Sequence, residues 1–255
     1  MGFIYNGISS QSMRVKARLS NWQAVPSLRN SFVTVPGRPG VADFGTDSAE
    51  KVITVHCNVF PQRSFAELVR VLDEMADWLN PDFGTQRLIL DDVPDRYFSA
   101  RLYEAVDCER LIRSAGSFDL RFVCPDPHAY ALTDETYTIT TTGTHSLQRE
   151  KGNTVSEPVY CLRGVILTGE KIFLTTNDEE LQVIGPLADG ETLVIDSGLV
   201  TAKVVNEESE TLRNGLPCLK ELNFPALYKG ANTVKVIAEN ATFMDLNIEA
   251  HSRWR

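Results

Sequence analysis

The chain has 255 residues, of which 43% are hydrophobic, and it carries a formal net charge of −9 with a pI near 5.0. This apolar content is enough for two ordinary cores, so we expect two domains and no long disordered segment. The acidic balance, without any Lys/Arg block, argues against direct DNA binding, and no apolar run is long enough to cross a membrane. The N-terminus also lacks the regions of a signal peptide, so we expect synthesis in a cytoplasm.

Cysteine and histidine spacing argues against disulfides and metal sites. The cysteines are odd in number and scattered, and no two form a Cys-x-x-Cys pair. We therefore expect buried free thiols at Cys57, Cys108, Cys124, Cys161 and Cys218. His56 and Cys57 are neighbours on a predicted strand and should point to opposite faces, and the other histidines are isolated. We expect no metal and no cofactor.

The first half of the chain predicts strands around one helix. The stretch 35–40 (VPGRPG) predicts a rigid double turn rather than a phosphate loop, because no Gly-Lys-Ser/Thr follows it. The segment 91–95 (DDVPD) matches a metal-diphosphate motif, but its proline and flanking strand residues favour a hairpin turn. We expect strands at 52–59, 87–90 and 97–102 and a further strand that contains Phe118.

The helix has clear start and stop signals. Ser64 is a predicted N-cap with Glu67 three residues later, as in a capping box, and Asn80-Pro81 ends the segment. Apolar residues recur at helical spacing at Phe65, Leu68, Val69, Leu72, Met75, Ala76 and Leu79. This stripe favours a helix packed on a sheet over a helix reserved for a partner.

A domain junction follows the Phe118 strand. Alternation of apolar and polar residues up to Cys124 indicates a strand with one buried face. Pro125 and Pro127 then end it, because neither can donate a backbone hydrogen bond. We place the boundary near Thr133, with one domain at residues 1–133 and a second at 134–255.

The second half predicts a β-sandwich. Helix signals are absent after Tyr130, and short strands alternate with Gly, Asn and Asp turns. The expected strands lie at 136–142, 158–163, 171–175, 181–184, 192–196, 200–205, 218–224, 232–238 and 243–250. The fold class is therefore mainly β, with an α+β first domain that has one main amphipathic helix on a sheet and a sandwich as the second domain.

The sequence does not predict an enzyme. It has no Gly-x-Ser-x-Gly, His-Glu-x-x-His, Ser-x-x-Lys or dinucleotide fingerprint, and no nucleophile has an evident partner. We therefore assign no catalytic, cofactor-binding or metal residues.

Ordered motifs along the whole chain resemble the distal tail protein family of long, flexible-tailed phages of Gram-positive bacteria. In the first half these are Phe3-x-Tyr5-Asn6-Gly7, Val35-Pro36-Gly37-Arg38-x-Gly40, Trp78-Leu79, Arg96-Tyr97-Phe98-x-Ala100 and Phe118-x-Leu120-x-Phe122-x-Cys124-x-Asp126-Pro127. In the second half they are Gly152-Asn153, Pro158, Gly164, Leu193-Val194-Ile195-Asp196, Leu227-x-x-Gly230-x-Asn232-x-Val234 and Trp254.

The resemblance implies a virion protein at the distal end of the tail, made in the host cytoplasm. Such a protein forms a homohexameric ring, or stacked dimers of rings, from its N-terminal domains, while galectin-like C-terminal domains project outward. The implied partners are the tail tube protein, the tape measure protein and the tail-associated lysin or fibre protein. DNA passes through the lumen without specific binding, and no membrane is involved.

A carbohydrate-binding receptor module is the alternative function. The galectin signature needs His-x-Asn-x-Arg followed by Trp, Glu and Arg on neighbouring strands. His56-Cys57-Asn58 is the only His-x-Asn run, it lies in the first domain, and Phe60 occupies the Arg position. Trp254 lacks the sequence partners of a stacking platform, so the ring hub is the favoured hypothesis.

Overall fold

Strands dominate the computed structural model of the chain, which describes residues 1–104, 106, 109–112 and 115–255. They account for 52% of the structure and helices for 8%, which confirms the mainly β fold. The described residues separate into two compact units, Met1–Leu132 with Arg255 and Thr133–Trp254. Among the helices of these ranges, none is long and apolar enough to span a membrane.

The first unit is built on one large antiparallel sheet. Its elements are β1 (Phe3–Tyr5), β2 (Ile8–Ser9), β3 (Val15–Leu19), β4 (Leu28–Val33), β5 (Ala42–Ser48), β6 (Lys51–Val59), α1 (Phe65–Trp78), a 3₁₀ helix (Pro81–Phe83), β7 (Gln86–Leu90), β8 (Val93–Leu102), β9 (Glu109–Ile112), β10 (Ala115–Cys124) and β11 (Ala129–Ala131). The strand order is β2-β1-β7-β8-β10-β6-β3, with β9 attached to β10 and β11 to β8. Strands β4 and β5 form a separate two-stranded sheet.

The predicted strands of the first half are present as β6, β7, β8 and β10. In β6 every second residue from Lys51 to Val59 is buried, because alternate side chains of a strand point to opposite faces. This places Cys57 in the core and His56 on the outer face, as expected. The predicted turn at 91–95 is shorter than expected, since Val93 already pairs with Leu90 at the start of β8.

Helix α1 has the predicted cap. The Ser64 hydroxyl accepts a hydrogen bond from the N–H of Glu67 at 3.2 Å, which satisfies a donor that the first helical turn leaves free. The Glu67 carboxylate in turn accepts the N–H of Arg63 at 2.9 Å, one residue before the position used in a standard capping box.

The buried face of α1 differs from the predicted stripe. The residues that enter the core are Leu68, Val71, Met75 and Trp78, followed by Leu79. Phe65 and Val69 are instead 46% and 37% exposed, and Leu72 is half-buried. The helix is turned towards Trp78, whose indole N–H donates to the Tyr5 carbonyl at 2.9 Å and whose ring stacks on Phe3. This bulky anchor, which the stripe omitted, sets the rotation of the helix.

The second unit is a two-sheet sandwich. Its elements are β12 (Thr136–Ile139), β13 (Gly143–Arg149), β14 (Val159–Val165), β15 (Lys171–Thr176), β16 (Glu179–Val183), β17 (Thr192–Asp196), β18 (Thr201–Val205), β19 (Thr211–Asn214), a 3₁₀ helix (Leu216–Cys218), β20 (Gly230–Glu239), β21 (Thr242–Glu249) and β22 (Arg253–Trp254). One sheet has the order β12-β21-β14-β17-β18-β19 and the other β13-β20-β15-β16. Aliphatic side chains of both sheets share one buried core, which includes Leu162, Leu174, Leu193 and Val236.

Two features of the second unit differ from the expectation. The strand predicted at 218–224 is wrong, because Leu216–Cys218 forms a 3₁₀ helix and the residues after it have no regular strand. Pro217 lies at the start of this short helix, where its fixed φ and missing N–H are tolerated, and it favours a helical turn over the first residue of the predicted strand. Strands β13 and β19 were not expected, since their polar sequences show little apolar alternation.

The cysteines are mostly where they were expected. Cys57, Cys124 and Cys218 are buried free thiols, and Cys108 lies outside the described residues. The expectation of burial is wrong for Cys161, which is a free thiol but only half-buried. Its neighbours Tyr160 and Leu162 face the core, so strand alternation turns Cys161 outward.

Candidate assembly surface

The hairpin of β4 and β5 extends from the first unit without entering its core. All six residues of β4 are exposed, and in β5 only Ala42 is partly covered. The strands pair in register from Leu28 opposite Ser48 to Val33 opposite Ala42. A two-stranded hairpin is at best marginally stable alone in water, which makes this exposed hairpin a candidate contact surface.

The apolar side chains of the hairpin concentrate in its distal half and lie on both of its faces. Phe32 is 54%, Val33 50% and Phe44 71% exposed. Phe32 and Val33 are successive residues of one strand and therefore point to opposite faces. Fully burying one such side chain contributes about 1.5 to 3 kcal/mol, so a partner that enclosed the distal half would stabilise it substantially.

The backbone of the hairpin turns at its tip and is bulged in its second strand. The predicted double turn at 35–40 joins the two strands, with Gly37 and Gly40 at φ +79° and +81°. Gly45, at φ +105°, occupies the irregular register opposite Ser31, and its N–H donates to the Asp43 carboxylate at 2.9 Å. Only glycine adopts this bulge conformation without strain.

A second uncovered apolar surface lies beside α1. It is a groove of about 310 Å³ lined by Leu72, Met75, Ala76, Leu79, Pro81, Leu102 and Val106. Most of these side chains come from the last turns of the helix and the residues that follow it, and Leu102 comes from the end of β8. The first unit therefore carries both a projecting apolar arm and an apolar recess.

Titratable groups near the junction are engaged in structure rather than poised for catalysis. One oxygen of the Asp126 carboxylate lies 2.7 Å from His128 Nδ1 and accepts the His128 N–H at 3.0 Å, and the other accepts the Tyr130 hydroxyl. Burial alone would raise the pKa of Asp126, but these hydrogen bonds outweigh it and hold the pKa at about 2. Such a carboxylate is too weak a base for proton abstraction, and it fixes the turn at Pro125 and Pro127.

The buried thiols are likewise unsuited to nucleophilic chemistry. Burial raises the pKa of Cys57 and of Cys124 to about 12, so the reactive thiolate is scarce near neutral pH. In the part of the chain that the structure describes, no group of three or more His, Cys, Asp or Glu side chains could hold a metal ion.

The residues considered for sugar binding are divided between the two units. His56 is half-buried on the outer sheet face of the first unit, with Nδ1 2.8 Å from the Asp119 carboxylate, and Phe60 follows the end of β6. Trp254 belongs to the other unit and is half-buried. The hairpin was not expected from the sequence, although the Pro-Gly turn between two extended stretches was a usable signal for it.

Residues 8–124, which include the hairpin and α1, match the family model of the phage tail protein RIFT-related domain. The first unit thus matches a phage tail domain over most of its length. No curated protein matches the chain.

Among solved structures, the chain matches the crystal structure of the phage SPP1 Dit protein (gp 19.1), described as a paradigm of the hub adsorption apparatus in phages that infect Gram-positive bacteria. The identity is 16%, the match covers 100% of this chain and 99% of that chain, and the TM-score is 0.75. Two chains from the phage P2 baseplate in its activated conformation, one with Ca and one with Sr, match at 9% identity with TM-scores of 0.48. These two matches cover 97% of this chain and 97% and 96% of theirs. The fold is that of the SPP1 Dit protein, as the resemblance to its family implied.

Proposed function

We propose that this protein is a structural hub at the tail tip, where six copies form a ring from residues 1–133 and residues 134–255 are a second domain. The observation that carries the proposal is the exposed hairpin of β4 and β5. Its distal half has apolar side chains on both faces, which a single copy leaves in water. A neighbouring copy that covers this arm removes the unfavourable free energy of exposing these apolar side chains to water.

A ring requires two different surfaces on each copy. In a head-to-tail contact one surface of a subunit meets another surface of the next, and the assembly closes when the rotation is right. The hairpin and the groove beside α1 supply an apolar arm and an apolar recess within the same unit. The number six comes from the resemblance to the distal tail protein family.

The hub joins the tail tube to the host-recognition parts of the tip. One face of the ring receives the tail tube protein, with the tape measure protein inside the tube, and the other receives the tail-associated lysin or fibre protein. DNA leaves through the lumen, and the net charge of −9 suits this role because it does not attract phosphates. The protein acts by assembly rather than by catalysis.

The carbohydrate-binding alternative has less support. The His-x-Asn run and Trp254 belong to different compact units, and His56 is already paired with Asp119. A glycan-binding screen with the whole chain tests it, and we expect no specific binding.

The ring is tested by native mass spectrometry and negative-stain electron microscopy of the full chain, alone and with the tail tube protein. We expect six-fold rings or stacked pairs of rings for the wild type and smaller species for Phe44→Asp. The matched control is Leu199→Asp, since Leu199 is 73% exposed, compared with 71% for Phe44, and lies in the other unit. A wild-type protein that stays monomeric under all these conditions contradicts the proposal.

A further inference from the structure

A polar cleft lies at the base of the hairpin. Its volume is about 410 Å³, and it is lined by Arg29, Ser48, Ala49, Glu50, Arg101, Tyr103, Val123 and Pro125. Arg101 is exposed and makes no ion pair with the described residues, and Arg29 has only a weak 3.8 Å contact with Asp47. The guanidinium groups of Arg29 and Arg101 therefore share a cleft with one carboxylate, that of Glu50.

The cleft belongs to a cationic sheet face. Arg101 projects from β8 on the side away from α1, since its neighbour Leu102 lines the groove beside the helix. On the same outer face Arg121 is held by Glu104 at 2.9 Å, while the exposed side chains of Lys16 and Arg18 extend the positive charge along β3. This surface is unusual in a chain whose net charge is −9.

The outward side of α1 has the opposite charge. Asp73, Glu74 and Asp77 are exposed, and none forms an ion pair within the described part of the chain. Arg70 is the exposed cation near them on the helix. Carboxylates without partners on a rigid helix form a natural complement for guanidinium groups without partners in a cleft.

These two surfaces lie on opposite sides of one sheet. Across the thickness of the first unit, the cationic outer face of the sheet comes first, α1 packs on the other face of the sheet, and the acidic side of α1 faces away from the sheet. They cannot meet within one chain, whereas a head-to-tail repeat can bring one surface of a copy against the other surface of the next.

We propose that the Arg101 cleft of one copy receives the acidic side of α1, with Asp73 and Asp77, from the next copy in the ring. The inference rests on the proposed ring, and it names the surfaces that meet in it. The cleft is continuous with the hairpin, because Arg29 and Ser48 belong to β4 and β5. A copy that covers the hairpin therefore also lies over the cleft.

Charge reversal tests the contact. The protein concentration at half-assembly is measured by mass photometry on the full chain for wild type, Arg101→Glu, and the swap that combines Arg101→Glu with Asp73→Arg and Asp77→Arg. We expect Arg101→Glu to raise this concentration by about tenfold at 0.05 M salt and by less than about threefold at 0.5 M salt, because exposed pairs are screened. The swap should return the value to within about threefold of wild type.

Lys203→Glu is the matched control, since it makes the same charge change on an exposed side chain of the other unit and should leave assembly unchanged. Assembly of Arg101→Glu at the wild-type concentration overturns the inference, and so does a swap that fails to restore assembly. If the wild type forms rings that Phe44→Asp abolishes, the ring proposal stands even when this inference fails. A wild type that never assembles refutes both.

Discussion

Replacing Leu68 by Ala should destabilise the first unit by about 3 kcal/mol. Leu68 is 2% exposed and lies on the buried face of α1. The substitution removes about three buried carbon groups at roughly 0.8 kcal/mol each. The cavity that remains adds about 24 cal/mol per Å³, or roughly 1 kcal/mol for a void of about 40 Å³.

Leu72→Ala is the matched control, because it makes the same chemical change one turn further along the helix. Leu72 is half-buried and lines the open groove, so truncation leaves no closed cavity and should cost about 1 kcal/mol or less. The contrast also tests the corrected rotation of α1, since the sequence pattern predicted both residues to be buried.

The measurement is urea unfolding followed by tryptophan fluorescence, at concentrations too low for assembly. Trp22 and Trp78 lie in the first unit and Trp254 in the second, so the signal is weighted towards the unit that is changed. The m-value should stay constant while the midpoint moves. Equal losses for the two variants would refute the placement of Leu68 in the core and of Leu72 at its edge.

Three further results are expected. Asp126→Asn should flatten the loss of stability in acid. A carboxyl whose pKa falls from 3.8 in the unfolded state to about 2 in the folded state stabilises the protein above pH 3.8, and this stabilisation is lost as the pH falls towards 2. Identical curves of stability against pH for the two proteins would contradict this. In the native protein iodoacetamide should label Cys161 before Cys57 and Cys124, as read by peptide mass spectrometry, and the reverse order would contradict their burial. Gly215→Ala should lower the free energy of unfolding by about 1 to 3 kcal/mol, since the added Cβ would lie 2.8 Å from the backbone nitrogen of Lys203. An unchanged Tm in thermal unfolding would show that the backbone can shift at this position.

Several elements could be predicted from the sequence because they depend on interactions between residues that are close in the chain. The alternation of β6 survives in the fold, because its buried face packs against the core and its register with β10 runs without interruption. The Ser64 cap and the proline pair at 125 and 127 act on their nearest neighbours, so their effects do not depend on distant residues.

The rotation of α1 was not readable in this way. Phe65 and Val69 fit a helical stripe as well as Val71 and Trp78 do, and hydropathy alone does not rank them. Which side of the helix is buried depends on the carbonyl of Tyr5 and the ring of Phe3. Both are more than 70 residues from Trp78 in the chain and contact it only in the folded unit.

By itself the sequence determined the mainly β class, the capped helix, the end of the strand before Pro125 and, through ordered motifs, the likeness to phage distal tail proteins. The tertiary structure alone decided which surfaces stay uncovered. Phe32 and Phe44 are large apolar residues of the kind that form cores, yet the hairpin exposes them to solvent. Arg101 and Asp73 lie on opposite sides of one sheet. Exposure depends on long-range strand pairing and packing, because a residue is buried only when distant parts of the chain cover it.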